Sequence, residues 1–134
     1  MLKTYTGSCH CGDVRFEADI DLSTGTGKCN CSICQKSRYW GALIKPGAFR
    51  LLTSPDKLSD YQFGSMQGHH LFCKRCGLRS FSRGHVPEIG GDFVSINVAC
   101  LDNVPDEDLA ALSVRYMNGR DYDWMHAPVV TGHL

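Results

Sequence analysis

The chain has no excess of charge, no long apolar run and, with one exception, no cysteine outside a close-spaced cluster. Lysine and arginine together number 14 and so do aspartate and glutamate, which leaves no long-range pull on nucleic acid or an anionic membrane. General nucleic-acid binding is therefore not expected, and any anion site must be a local patch. The first seven residues, Met1 to Gly7, lack the apolar core of a secretory signal, and no window approaches the roughly 18 consecutive apolar residues of a membrane span. A cytoplasmic protein with no membrane association is expected. Internal repeats, charge blocks and low-complexity segments are also missing, which argues against a solenoid or a disordered chain.

What is present fits one core of ordinary size. A length of 134 residues favours a single domain over two, and 43% apolar content is enough to build its interior. Fourteen glycines and five prolines point to many turns between short strands. Alternating apolar residues predict strands over 12–20, 40–44, 49–52, 58–63, 69–72, 78–83 and 93–98, the last being the most apolar. Short helices are expected at 32–38 and at 104–112, where acidic residues open an apolar run. Residues 85–92 read as an exposed loop, and the tail from Asn118 to Leu134 shows no period. The sum is a mainly β, antiparallel domain with one or two short helices.

The cysteines carry the chemistry. Cys9 and Cys11, then Cys29, Cys31 and Cys34, then Cys73 and Cys76 account for seven of the eight. In a reducing compartment such spacing signals metal ligation rather than disulfides. Thiolates two or three residues apart on a turn reach one ion without distortion, so Cys9, Cys11, Cys73 and Cys76 are expected to form a closed structural zinc site. Such a site would close a loop of roughly 60 residues at the cost of a single ion. Cys29, Cys31 and Cys34 supply three ligands, and three protein ligands with an exchangeable fourth position is the pattern of catalytic zinc. Zinc there would deprotonate an incoming thiol. Lys28, Lys36 and Arg38 flank this cluster and would offset its negative charge, with Lys36 or Arg38 receiving a substrate carboxylate.

The alternative is that all seven thiols hold structural metal, with Cys100 or a histidine as an eighth ligand. Cys100 ends the 93–98 strand and reads better as a buried apolar side chain. His10, His69 and His70 read as hydrogen-bonded loop or strand residues. Lys74, Arg75, Arg79 and Arg83 would line an anion pocket or lie on a solvated strand face. A non-catalytic zinc module would use the surface around Tyr39, Trp40, Arg79 and Arg83 to hold a partner.

Four segments, Gly7-Ser8-Cys9-His10-Cys11-Gly12, Cys29-Asn30-Cys31-Ser32-Ile33-Cys34, Phe72-Cys73-Lys74-Arg75-Cys76-Gly77 and Asn97-Val98-Ala99-Cys100-Leu101-Asp102, resemble in order and spacing one family. It is that of the glutathione-dependent formaldehyde-activating enzymes, which also includes centromere protein V. The resemblance spans about residues 3 to 118 and leaves 119–134 as a tail. It implies a β-tent fold of small antiparallel sheets, a structural zinc at Cys9, Cys11, Cys73 and Cys76, and a second zinc at Cys29, Cys31 and Cys34 that receives the thiol of glutathione. The implied reaction is the reversible addition of glutathione to formaldehyde to give S-hydroxymethylglutathione, the work of a carbon-sulfur lyase. A different thiol or aldehyde remains open within the same chemistry. The family often has histidine between the first two thiols of the second cluster, where this chain has Asn30. The second site, lacking a fourth protein ligand, is expected to load with zinc less fully than the first.

Overall fold

The computed structural model describes residues 1–134. Ten strands form three small sheets, with two short α-helices between them. Strands β1 (Lys3–Ser8), β2 (Arg15–Ile20) and β5 (Phe49–Leu51) make the first sheet, in the order β1-β2-β5. The second joins β3 (Thr26–Cys29), β4 (Gly41–Ile44), β8 (Phe81–Val86), β9 (Gly91–Asn97) and β10 (Val114–Met117), in the order β10-β3-β4-β9-β8. The third pairs β6 (Leu58–Tyr61) with β7 (His70–Cys73). No helix is long and apolar enough to cross a membrane.

The alternation read from the sequence is what the core uses. Phe16, Ala18 and Ile20 point inward from β2 while Glu17 and Asp19 reach Arg50 on the neighbouring strand β5. Val94 and Ile96 of β9 are wholly buried. At the centre three rings meet: Phe49 lies 4.5 Å from Phe81 and 5.6 Å from Phe16, centroid to centroid. Gly7 must be glycine here, because a Cβ would stand 2.1 Å from Cζ of Phe16. Cys9 and Cys73 belong to the same buried cluster, so the knuckles carrying them are edges of the core rather than surface loops.

Helix α1 (Ser32–Ser37) begins at its N-cap Cys31 and ends where Arg38 turns left-handed at φ 51°. Helix α2 (Asp106–Ala110) carries Asp106, Glu107 and Asp108 in its first turn, where the helix dipole favours negative charge.

Three expectations are corrected. The strand expected over 78–83 starts only at Phe81, because the chain is still rounding the knuckle: Cys73 N–H donates to the Leu78 carbonyl and Gly77 sits at φ +76°. His85 and Val86, expected in a loop, extend β8 and pair with Asp92 and Gly91. The strand β10 was not expected at all, and it lies parallel to β3, from Val114 opposite Thr26 to Met117 opposite Cys29. The tail that follows is folded back on itself, with Asn118 N–H donating to the carbonyls of Asp123 and His126.

Replacing Phe81 by alanine removes the ring packed on Phe49 at 4.5 Å and beside Phe16 at 6.2 Å and is expected to cost about 3–5 kcal/mol. Urea denaturation of metal-loaded protein measures it; a loss below about 1 kcal/mol would mean that the ring trio is not the centre of the core.

Candidate metal centres and cavity

The turn between β1 and β2 presents Cys9 and Cys11, and the turn between β7 and β8 presents Cys73 and Cys76. Their four sulfurs lie within 4.8 Å of one another. Cys11 Sγ is 3.7 Å from Cys9 Sγ and 3.6 Å from Cys73 Sγ. Four thiolates around a tetrahedral zinc at about 2.3 Å stand about 3.8 Å apart, so the donor set fits that ion with little adjustment. Backbone amides already face the sulfurs: Val14 N–H donates to Cys9 Sγ at 3.3 Å, and the N–H groups of Arg75 and Cys76 donate to Cys73 Sγ at 3.4 and 3.5 Å. Such donors stabilise thiolate. The backbone N–H groups of Cys11 and Leu78 pull the Cys76 thiol down to about 6.

The second cluster is built differently. Cys29 ends β3, Cys31 is the N-cap of α1 and Cys34 lies on the helix one turn on. These three sulfurs also lie within 4.8 Å of one another, and no further cysteine, histidine or carboxylate joins them. Cys31 N–H donates to Cys29 Sγ at 3.4 Å. The thiols of Cys29 and Cys34 hold Cys31 far down, while Cys29 and Cys31 push Cys34 up. The three thiols thus share their protons rather than titrating one by one, and a cation among them would take the place of those protons.

The side of this cluster without a protein ligand opens into a cavity of about 1020 Å³. Arg79, Arg83, Arg115, Arg120 and Lys36 line it, against a single carboxylate, Glu88. Arg79 is the most firmly placed of the cations, its guanidinium 4.3 Å over the Tyr39 ring and its Nη2 donating to Ser37 Oγ at 3.1 Å.

The family model described as glutathione-dependent formaldehyde-activating enzyme matches residues 4–117. The chain belongs to this family. A crystal structure of a Rhodobacter sphaeroides protein is similar, with 27% sequence identity, a TM-score of 0.70, and coverage of 82% of this chain and 99% of that one.

In this member of the glutathione-dependent formaldehyde-activating family, the structure sorts the residues singled out from sequence. Lys36 lines the cavity, whereas Arg38 caps the helix and is not among the lining residues. Lys28 turns away, its Nζ reaching the Leu134 carbonyl at 3.3 Å and lying 5.9 Å from the Trp40 ring centroid. Arg79 and Arg83 enter the cavity; Lys74 and Arg75 do not, and Arg75 faces Asp13 instead. Cys100 does not complete the three-thiol site. It is buried on the side of Cys9 and Cys76, and that burial pushes its thiol up to about 12. The aromatic surface expected of a binding module is also absent: Tyr39 is buried with its hydroxyl donating to the Ser95 carbonyl, and Trp40 is half-buried with Nε1 donating to Thr26 Oγ1.

Sequence reading missed the C-terminal segment. Asn30, between the first two thiols of the cluster, is buried and donates through Nδ2 to Asn118 Oδ1 at 2.9 Å, while its Oδ1 accepts from Arg120 N–H at 3.0 Å. That pair of bonds ties the metal cluster to residues 118–120. Gly119 then packs directly on the ligand, since a Cβ there would stand 2.4 Å from Cys29 Sγ and 2.5 Å from the Trp124 ring. No local pattern announces Arg115 or Arg120 as cavity residues; only the polar Asn30 between two thiols hinted at a partner.

Gly119→Ala is expected to displace Cys29 and lower the metal bound per chain by one equivalent, with the four-cysteine site and the fold kept. Metal analysis with circular dichroism tests it; unchanged metal content would mean that the segment yields without disturbing the ligand.

Proposed function

We propose that the protein is a zinc-dependent carbon-sulfur lyase acting on a glutathione-aldehyde adduct such as S-hydroxymethylglutathione. The observation that carries this reading is a cluster of three thiols with no fourth protein ligand, facing a cavity rich in cations. Zinc held by Cys29, Cys31 and Cys34 would act as a Lewis acid that binds a substrate sulfur as thiolate near neutral pH. Cys9, Cys11, Cys73 and Cys76 would hold a second zinc with no position left for substrate.

The remaining work falls to the cavity. Beyond the thiol glutathione carries two carboxylates and one ammonium, and a planar guanidinium can take a carboxylate through two parallel hydrogen bonds. Arg79 is pre-positioned for this by Tyr39 and Ser37, which lowers the entropy lost on binding. Arg120, whose backbone N–H donates to Asn30 and whose side chain donates to Gln35, would take the second carboxylate. Lys36 supplies charge from the exposed rim. Arg38, outside the lining, is left without a substrate contact.

Cys31→Ser is expected to fold, to bind one metal fewer and to lose turnover of S-hydroxymethylglutathione, while Cys73→Ser is expected to unfold. Metal stoichiometry, circular dichroism and adduct exchange measured together check both; an unfolded Cys31→Ser protein would remove the catalytic assignment. Arg79→Ala should raise KM about 10-fold or more with a smaller change in kcat, as expected for loss of a charge-assisted hydrogen bond worth about 1.5–3 kcal/mol.

A further inference from the structure

Only two histidines, His70 and His85, line the cavity. His70 lies on β7 opposite Tyr61 of β6, and its Nδ1 is 3.0 Å from the Tyr61 carbonyl oxygen. A carbonyl only accepts, so Nδ1 carries the hydrogen, and in the neutral ring Nε2 keeps its lone pair. No protein group is hydrogen-bonded to that Nε2. The ring packs beside Phe63 at 5.3 Å and Tyr61 at 6.3 Å between centroids, and Gly68 lies so near that a side chain there would come within 3.0 Å of Cε1.

The neighbouring histidine shows what a committed ring looks like. His69 bonds Asp60 Oδ2 through Nδ1 at 2.6 Å and faces Gln62 Nε2 through its own Nε2 at 3.5 Å, and it lies outside the cavity lining. His85 is paired with Asp92, a carboxylate 77% exposed, at the end of β8. Of the two cavity rings, His70 is the one packed beside Tyr61 and Phe63 and close enough to Cys31 and Arg79 to feel their charges, whereas His85 is held by an exposed carboxylate.

We propose that His70 is the general base and acid at the aldehyde oxygen of the substrate, a role that rests on the lyase reading above. In breakdown of the adduct, Nε2 takes the hydroxyl proton. The O–H electron pair becomes the second C–O bond of the aldehyde, and the C–S bond breaks with its pair going to sulfur. In the reverse direction the imidazolium returns the proton to the oxygen as the C–S bond forms. Atoms and electrons balance without an oxidant or a further reactant.

The charged and titratable groups around the ring suit this shuttle. Burial and the nearby Arg79 guanidinium disfavour the imidazolium, while the Tyr61 carbonyl, Cys31 and Asp60 favour it; burial dominates, and His70 lies below its ordinary 6.5. The ring is neutral at pH 7 and able to accept. Arg79, fixed on Tyr39, keeps the imidazolium acidic enough to give the proton back.

The tautomer is tested first, by two-bond proton-nitrogen correlation NMR of metal-loaded, histidine-labelled protein. A hydrogen on Nδ1 of His70 is expected, and one on Nε2 overturns the proposal. Exchange between S-hydroxymethylglutathione and free aldehyde is then followed by NMR between about pH 5 and 8 in wild type, His70→Gln and His70→Ala. Wild-type kcat should fall as pH drops through the His70 pKa below 6.5, because the protonated ring accepts nothing. His70→Gln should lose about 10²-fold or more in kcat with KM little changed, lose the acid limb and keep its full metal content. Added imidazole should restore part of the rate in His70→Ala. A His70→Gln rate and acid limb equal to wild type overturn His70 and leave the lyase reading standing. Exchange in wild type no faster than in buffer overturns both.

Discussion

The convergence of Cys9, Cys11, Cys73 and Cys76 on one point is the constraint on which the rest of the molecule depends. It joins the turn of the first sheet to the turn that leads from the third sheet into the second, segments separated by 62 residues between Cys11 and Cys73. A structural zinc in such a site contributes about 10–16 kcal/mol of binding energy, which is as large as the whole stability of an ordinary domain, about 5–15 kcal/mol. Removing one ring of the three-phenylalanine core costs about 3–5 kcal/mol, well short of losing the whole site. This is why substitutions in the four-cysteine knuckles and in the aromatic centre belong to different classes of effect.

The two cysteine clusters differ in their supports. Cys9 and Cys73 are embedded in the apolar core and receive amide hydrogen bonds from tight turns, which leaves their sulfurs no freedom and no access. Cys29, Cys31 and Cys34 sit where a strand gives way to a helix, with one side turned to a cavity. Charge follows the same division. The chain is neutral overall, yet four arginines and Lys36 are gathered on the cavity wall with one carboxylate among them. A balanced total conceals a strongly cationic interior surface.

Much of this was legible in the sequence, for identifiable reasons. Metal ligands are set by spacings of two and three residues, a purely local property, so both clusters could be read before any fold was known. Strands β2 and β9 declare themselves because one face is buried and the alternation is clean. Strand β10 is four residues long, half-exposed, at a sheet edge, and its partner lies more than eighty residues earlier, so nothing local marks it. The basic residues read by nearness to the three-cysteine cluster were Lys28, Lys36 and Arg38, of which only Lys36 lines the cavity; Arg79 and Arg83, read as anion-pocket residues, do enter it, and β10 and the C-terminal segment add Arg115 and Arg120. His70 was read as a hydrogen-bonded strand residue, and it is one, through Nδ1; the free second nitrogen is visible only once the cavity is.

The family match ends at residue 117, and the next three residues are those that grip the second cluster: Asn118 holds Asn30, Gly119 lies against Cys29, and Arg120 reaches both Asn30 and Gln35. A fragment trimmed to the matched boundary would therefore keep every cysteine and lose one wall of the chamber they face. Relatives that share the cysteine pattern but continue differently after it would inherit the same metal ligands in front of a differently shaped opening. Divergence of substrate within the family could then arise outside the sequence that defines it.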